Sequence, residues 1–273
     1  MGFKLTEEQA FAFLKYKDML AYYNAQFNLT AITDEKEIIL KHFVDSCMGA
    51  KIIGNVCGMA IPISNEMHNH HINNFPKTNG VLCNLQQSNS FENTPFLNGF
   101  DCSCKIVDIG AGAGFPGIPL SIVLPASNFA LVDSLRKRTI FLQKVKEQLQ
   151  LNNIEIAHTR SEDFGHEQER RESFDVAVSR AVAPLHRLTE LCLPLVAVGG
   201  IFIAYKGNVK STEEEVEKAE RAIALIGGKV EDIVYYKLPA TDIIHSIVII
   251  NKITQTSETY PRKPKKIKNS PIL

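Results

Sequence analysis

Apolar residues along the chain fall into short runs separated by stretches of helical period. Ile106, Val107 and Ile109 make one such run, and it ends in glycines at every second position, Gly110, Gly112 and Gly114. The run predicts a buried strand, and the glycines predict a tight turn pressed against a ligand, where a Cβ has no room. A helix is expected from about Ile118, its first free N–H groups pointing back over that turn. Phe129 to Val132 predicts a second strand ending in Asp133. An open parallel sheet presents a carboxylate there to the ribose hydroxyls of an adenosine ligand.

The alternation continues. A helix from Arg136 to about Leu149 carries Ile140, Phe141, Val145 and Leu149 on its apolar face. Strands follow at 154–157, leaving Ser161 and Glu162 at the exit, at 174–178, leaving Ser179, Arg180 and Ala181, and at 200–205, leaving Lys206 and Gly207. After a charged helix (213–226) come two strands, 230–236 and 243–250, joined by a link too short for a crossover helix and therefore antiparallel. The expected fold class is α/β, a doubly wound, mostly parallel seven-stranded sheet with an antiparallel last strand.

Upstream, Thr6 and Gln9 form a capping box that opens a helix on which Phe11, Leu14, Met19 and Tyr22 recur. The box also explains the residues that formally match a myristoylation pattern at Gly2. A second helix starts at Glu35, with Ile38, Ile39, His42, Phe43 and Ser46 on neighbouring faces. Residues 1–50 thus read as a helical cap outside the sheet, and 105–252 as the main domain. Between them, 51–104 reads as an insert with ten asparagines between 51 and 101 and little periodicity, expected to be flexible. Residues 253–273 form a basic tail, with Arg262, Lys263, Lys265, Lys266 and Lys268 kept extended by Pro261 and Pro264.

Composition narrows the partners. Lys plus Arg equals Asp plus Glu at 30 each, so a nucleic acid would have to be met by a local patch. Arg136, Lys137, Arg138 and the tail are the candidates. No apolar run approaches the roughly 18 residues of a membrane span, and the polar start is no secretory signal, which places the chain in the cytoplasm. Six irregularly spaced cysteines suggest reduced thiols. His68, His70 and His71 with Cys83, Cys102 and Cys104 lack the paired spacing of a zinc module, so no metal is expected.

The turn itself separates cofactor classes. A dinucleotide G-x-G-x-x-G would need glycine at 115, where Phe115 stands, and this disfavours a nicotinamide oxidoreductase. An acidic residue two places before three alternating glycines is instead the form typical of S-adenosylmethionine methyltransferases. The exit Ser179-Arg180-Ala181 lacks the [N/D]-P-P-[Y/F] loop of exocyclic-amine enzymes. Cys192, set in an apolar helix, reads as core and not as the nucleophile of a cytosine-C5 enzyme.

Asn28 to Ile32, His42-Phe43-Val44-Asp45-Ser46, VDIGAGAGFPGIPL (107–120), LVDSLRKR (131–138), Ser179-Arg180-Ala181, Tyr205-Lys206-Gly207 and Tyr260-Pro261-Arg262-Lys263 together resemble the RsmG (GidB) family of bacterial ribosomal RNA small-subunit methyltransferases. The resemblance spans the chain apart from the asparagine-rich insert. It implies S-adenosylmethionine as cofactor and N7 of one guanine in the decoding-region loop of 16S ribosomal RNA as target, with naked RNA or the small subunit as partner and a monomeric enzyme. Carried over by position, the cofactor contacts are Gly110, Phe115, Ser161, Glu162 and Arg180, joined by Gly112 and Asp133 from the reading of the turn. Guanine N7 has a free lone pair and no proton, so no residue is expected to act by proton transfer. Arg180 and Lys206 are positioning candidates, and Arg136, Arg138, Lys206, Arg262 and Lys263 are candidate RNA contacts. The alternatives are a methyltransferase of another RNA base or a small molecule, and a non-catalytic RNA-binding ribosome-assembly factor.

Overall fold

The structure, a computed structural model, describes residues 5–56 and 103–273. Strands β1 (Lys105–Ile109), β2 (Asn128–Asp133), β3 (Ile154–His158), β4 (Phe174–Arg180), β5 (Val196–Lys206), β6 (Gly228–Lys237) and β7 (Ile244–Lys252) form one sheet in the order β3-β2-β1-β4-β5-β7-β6. The first five pair in parallel, and β7 runs antiparallel to both β5 and β6. This is the expected sheet. β1 and β2 are buried after their first residue, as strands covered on both faces must be, which is why they read as continuous apolar runs.

Alternate residues of the strands feed two cores. Ile106, Leu131 and Ile203 pack with α4 (Gly117–Val123), α5 (Arg136–Leu149) and the N-terminal helices; Val107, Val132 and Phe202 pack with α7 (Leu185–Cys192) and α8 (Val209–Leu225). The strand order reverses between β1 and β4, with β2 continuing on one side and β5 on the other. Ligands of open α/β sheets bind outside the carboxyl ends of the strands at such a point, and the glycine turn lies there.

The N-terminal helices are part of the first core. Helix α1 (Glu7–Phe27) begins with the expected capping box, Thr6 and Gln9 exchanging hydrogen bonds. It buries Phe13, Tyr16 and Leu20, and leaves Phe11, Leu14 and Tyr22, part of the expected stripe, mostly exposed. Both sets recur at helical spacing, so period alone did not choose between them. The face with Tyr16 is the one whose hydroxyl reaches a partner in the sheet domain, the Ala113 carbonyl. The second helix is composite: α2 (Glu35–Glu37), a π-helical stretch (Ile38–Val44) and α3 (Asp45–Val56), which carries the helix past residue 50.

Three features differ from expectation. Helix α8 starts at Val209, four residues early, because Asn208 caps it by accepting the Lys210 N–H. The C-terminal residues are not extended: Pro264 sits at the first position of α9 (Pro264–Asn269), where its missing N–H is no loss, and Ile267 is buried in the second core. Cys104 is disulfide-bonded, against the expectation of reduced thiols, while Cys47 and Cys192 are free and buried. The short α6 (Ser161–Phe164) completes the elements near the sheet's carboxyl edge. The histidines and the other cysteines considered for zinc lie outside the described residues. Among the described ones no group of His, Cys, Asp or Glu is placed to hold a metal, and no helix is long and apolar enough to cross a membrane.

Candidate functional site

The turn after β1 is held from three sides. The neighbouring strand β2 anchors it through Gly110 and Ala111, whose N–H groups donate to the Val132 carbonyl. Asp133, at the end of β2, accepts the Gly112 N–H on Oδ2 at 2.9 Å and the Leu135 N–H on Oδ1 at 2.8 Å, with Arg138 Nη1 at 3.3 Å. From below, Asp108 Oδ2 accepts the Gly117 N–H at 2.8 Å while Oδ1 is buried without a partner. Burial lifts the Asp108 carboxyl to about 7, against the Gly117 N–H and the Arg180 charge.

Two of the glycines are needed for different reasons. At Gly110 (φ 74°) a Cβ would lie 2.5 Å from the Val182 side chain, which belongs to the loop after β4. At Gly112 (φ 62°) the only neighbour of a Cβ among the described residues is the Gly110 carbonyl oxygen at 3.7 Å, so among them this side of the turn is open. A turn fixed by Asp133 and open on its ligand side suits an adenosyl group lying against backbone.

Phe115 and Arg180 meet beside the turn. The Phe115 ring stacks on the His42 imidazole with centroids 4.4 Å apart, and the Arg180 guanidinium lies 5.0 Å from the same ring. Arg180 Nη1 donates to Asp45 Oδ2 at 2.8 Å and to the Lys41 carbonyl at 3.0 Å, and Nη2 donates to His42 Nδ1 at 3.0 Å. Asp45 Oδ1 in turn takes the Tyr236 hydroxyl and His245 Nδ1, each at 2.6 Å. Burial pushes the Asp45 carboxyl up, but His245, Arg180 and Tyr236 outweigh it and hold the group below the usual carboxylate range. Asp45, His245, Tyr236 and Tyr16 were absent from the sequence reading of the site. Asp45 stood there only within the His42–Ser46 stretch, which carried no role for it.

The remaining predicted residues divide into free and engaged. Ser161 and Glu162 stand half-buried at the β3 exit in α6, and Arg136 and Lys137 are exposed at the start of α5. Lys206, only 9% exposed, bonds Glu215 at 2.7 Å and the Ala183 carbonyl, and so ties α8 to the loop after β4. Arg262 makes a bidentate pair with buried Glu190, Nε to Oε1 and Nη2 to Oε2 both at 2.7 Å, whereas Lys263 is exposed. Cys192 is buried in α7 and its thiol is pushed well up by that burial, so it offers no thiolate.

Comparison with known proteins agrees with this geometry. The family model for GidB, described as rRNA small subunit methyltransferase G, matches residues 65–244. Among similar curated proteins, one from Acetivibrio thermocellus is 40% identical over 271 residues, covering 99% of this chain and 92% of its own length. Another from Alkaliphilus oremlandii is 38% identical over 274 residues, covering 100% and 94%. Both carry the name Ribosomal RNA small subunit methyltransferase G. On the family match and on near-complete coverage at this identity, the chain belongs to the GidB family of rRNA small subunit methyltransferases.

Proposed function

We propose that the protein is a cytoplasmic, monomeric enzyme that methylates N7 of a single guanine in the decoding-region loop of 16S ribosomal RNA, with S-adenosylmethionine as methyl donor. The observation that carries the reading is the glycine turn at the reversal of the strand order, held by Asp133 and flanked by Phe115 and Arg180 in a chain of this family. When bound, the sulfonium supplies an electrophilic methyl group.

The chain's own residues then have to bind and orient. Gly110 and Gly112 let backbone approach the adenosyl group, and Asp133 keeps the turn in register. Phe115, Ser161 and Glu162 line the cofactor side, and Arg180 is the cation at the neighbouring strand exit. Nothing needs to remove a proton, because the attacking nitrogen carries none. Methyl transfer is an in-line displacement, so alignment of donor carbon and N7 at roughly 3 to 3.5 Å supplies the catalysis. Both Asp133 oxygens already accept N–H groups, in keeping with a holding role.

For RNA, with no net charge on the chain, local cations must supply phosphate contacts. Arg136, Lys137 and Arg138 beside the site are one patch; Lys263, Lys265, Lys266 and Lys268, exposed around the buried Ile267, form the other. Arg262 supports that second patch by fixing the chain before α9, and Lys206 holds the loop that carries Val182.

Calorimetric titration with S-adenosylmethionine and with NAD, followed by mapping of 16S ribosomal RNA from a deletion strain, tests the reading. Binding of the sulfonium alone and loss of one 7-methylguanine are expected. A complete set of 16S methylations in the deletion strain would refute the target, and binding of NAD in place of the sulfonium would refute the cofactor.

A further inference from the structure

The buried carboxylate of Asp45 is the meeting point of side chains from three strands. Oδ2 is given to Arg180 of β4, and Oδ1 is shared by Tyr236 of β6 and His245 of β7. Asp45 itself comes from the first turn of α3, so these bonds join the N-terminal helices to the carboxyl edge of the sheet. Docking alone would be served by any well-packed polar contact. The way Arg180 is bonded points further.

A guanidinium has five N–H donors in one rigid plane. Three of them are used, two on Nη1 (to Asp45 and the Lys41 carbonyl) and one on Nη2 (to His42 Nδ1). One on Nη2 and the one on Nε have no protein partner among the described residues, although the side chain is only 14% exposed. The plane is also fixed by the Phe115 ring at 5.0 Å, and Phe115 is in turn held by its stack on His42. The group is therefore clamped at one end and left with unused donors beside the glycine turn.

We infer that Asp45 and His42 are positioning residues of the cofactor site: together they hold the Arg180 guanidinium so that its two remaining N–H groups are presented to the carboxylate of the methyl donor's amino-acid part. This rests on the proposed cofactor. The N-terminal helices are then part of the methyl-donor site through Arg180 and not only a cover for the sheet. Neither residue touches the donor, and the effect of each is transmitted by the arginine.

The test uses two ligands that differ in the part concerned. S-adenosylhomocysteine carries the amino-acid carboxylate; methylthioadenosine has the same nucleoside and sulfur but no amino-acid part. Asp45→Asn, which keeps the size of the side chain, is expected to weaken binding of the first about ten- to a hundredfold, the range of a hydrogen bond to a charged group, and to leave the second within twofold. His42→Ala loosens the same guanidinium without disturbing the buried carboxylate, and should give the same selective loss, so the inference does not depend on Asp45→Asn folding. In an Arg180→Ala background neither substitution should add to the loss for S-adenosylhomocysteine.

Tyr236→Phe separates this from a structural effect, since it removes one bond to Asp45 but leaves the Arg180 pair; it should lower the melting temperature without the selectivity. Equal weakening of both ligands by Asp45→Asn or His42→Ala, or no weakening of either, would overturn the inference. Failure of the unsubstituted protein to bind either ligand would instead overturn the cofactor reading on which it rests.

Discussion

Asp133 accepts the Gly112 N–H on Oδ2 at 2.9 Å, so the last residue of β2 fixes the turn that follows β1. Its other oxygen takes the Leu135 N–H and sets the entry to α5. Asp133→Ala strips the partner from both N–H groups in a nearly buried place. With about 1.5–3 kcal/mol for each hydrogen bond to a charged group, a stability loss of roughly 3–6 kcal/mol is expected in urea unfolding. The loosened turn should also weaken S-adenosylmethionine binding about ten- to a hundredfold by calorimetry. Affinity within twofold of the unsubstituted protein would take Asp133 out of the site.

The C-terminal cations should separate into two kinds. Arg262 is bonded through Nε and Nη2 to Glu190, which is 1% exposed, so Arg262→Ala leaves a buried carboxylate without its counter-charge. A loss of about 3–5 kcal/mol in stability is expected, as for other broken buried pairs. Lys263, Lys265, Lys266 and Lys268 are exposed, and replacing all four by Ala should change stability by less than about 1 kcal/mol. It should also flatten the dependence of RNA affinity on salt, by about 0.7–0.9 in slope for each phosphate no longer neutralised. An unchanged slope would show that these lysines do not touch RNA.

What could be read in the sequence was whatever is local. The β1 run with its glycines, the Thr6–Gln9 box, the α5 helix and the β6–β7 pair are each specified by neighbours within a few residues, and they stand where expected. The arrangement around Asp45 has no such signature, because its partners lie 135, 191 and 200 residues further along the chain. Only the folded sheet brings them together. The face of α1 was ambiguous for a related reason: two apolar stripes compete, and the winner is set by the surface that receives it. The C-terminal residues misled because proline was read as a helix breaker, although at the first position of α9 it suits a helix.

Burial and the Arg180 charge hold the His42 imidazole well below its usual value, at about 4, against the pull of the Asp45 carboxylate. The neutral ring is what the structure uses, since Nδ1 accepts from Arg180 and cannot do so once protonated. The folded value lies below the unfolded one of about 6.5, so the stability from this group is whole above 6.5 and is lost as pH falls toward 4. Unfolding free energies at pH 7.5, 6 and 5 should show the protein losing about 2 kcal/mol relative to His42→Gln by pH 5. Parallel pH curves for the two proteins would count against it.

Asp108 should act in the opposite sense. Its carboxyl is raised to about 7 by burial, so the unfolded chain releases this proton near pH 4 and the folded one holds it until near 7. The stability it contributes is therefore greatest below pH 4, falls as pH rises to about 7, and is level beyond. Asp108→Asn keeps an oxygen for the Gly117 N–H and removes the titration; its amide nitrogen takes the place of the unpartnered Oδ1, a cost that does not vary with pH. Relative to the unsubstituted protein, the variant should gain up to about 4 kcal/mol between pH 4 and 7, about 3 pKa units at 1.4 kcal/mol each, and nothing above. A difference that stays constant across that window would mean that the carboxyl ionises as readily in the fold as outside it, and that the unpartnered oxygen beneath the glycine turn has a partner in solution.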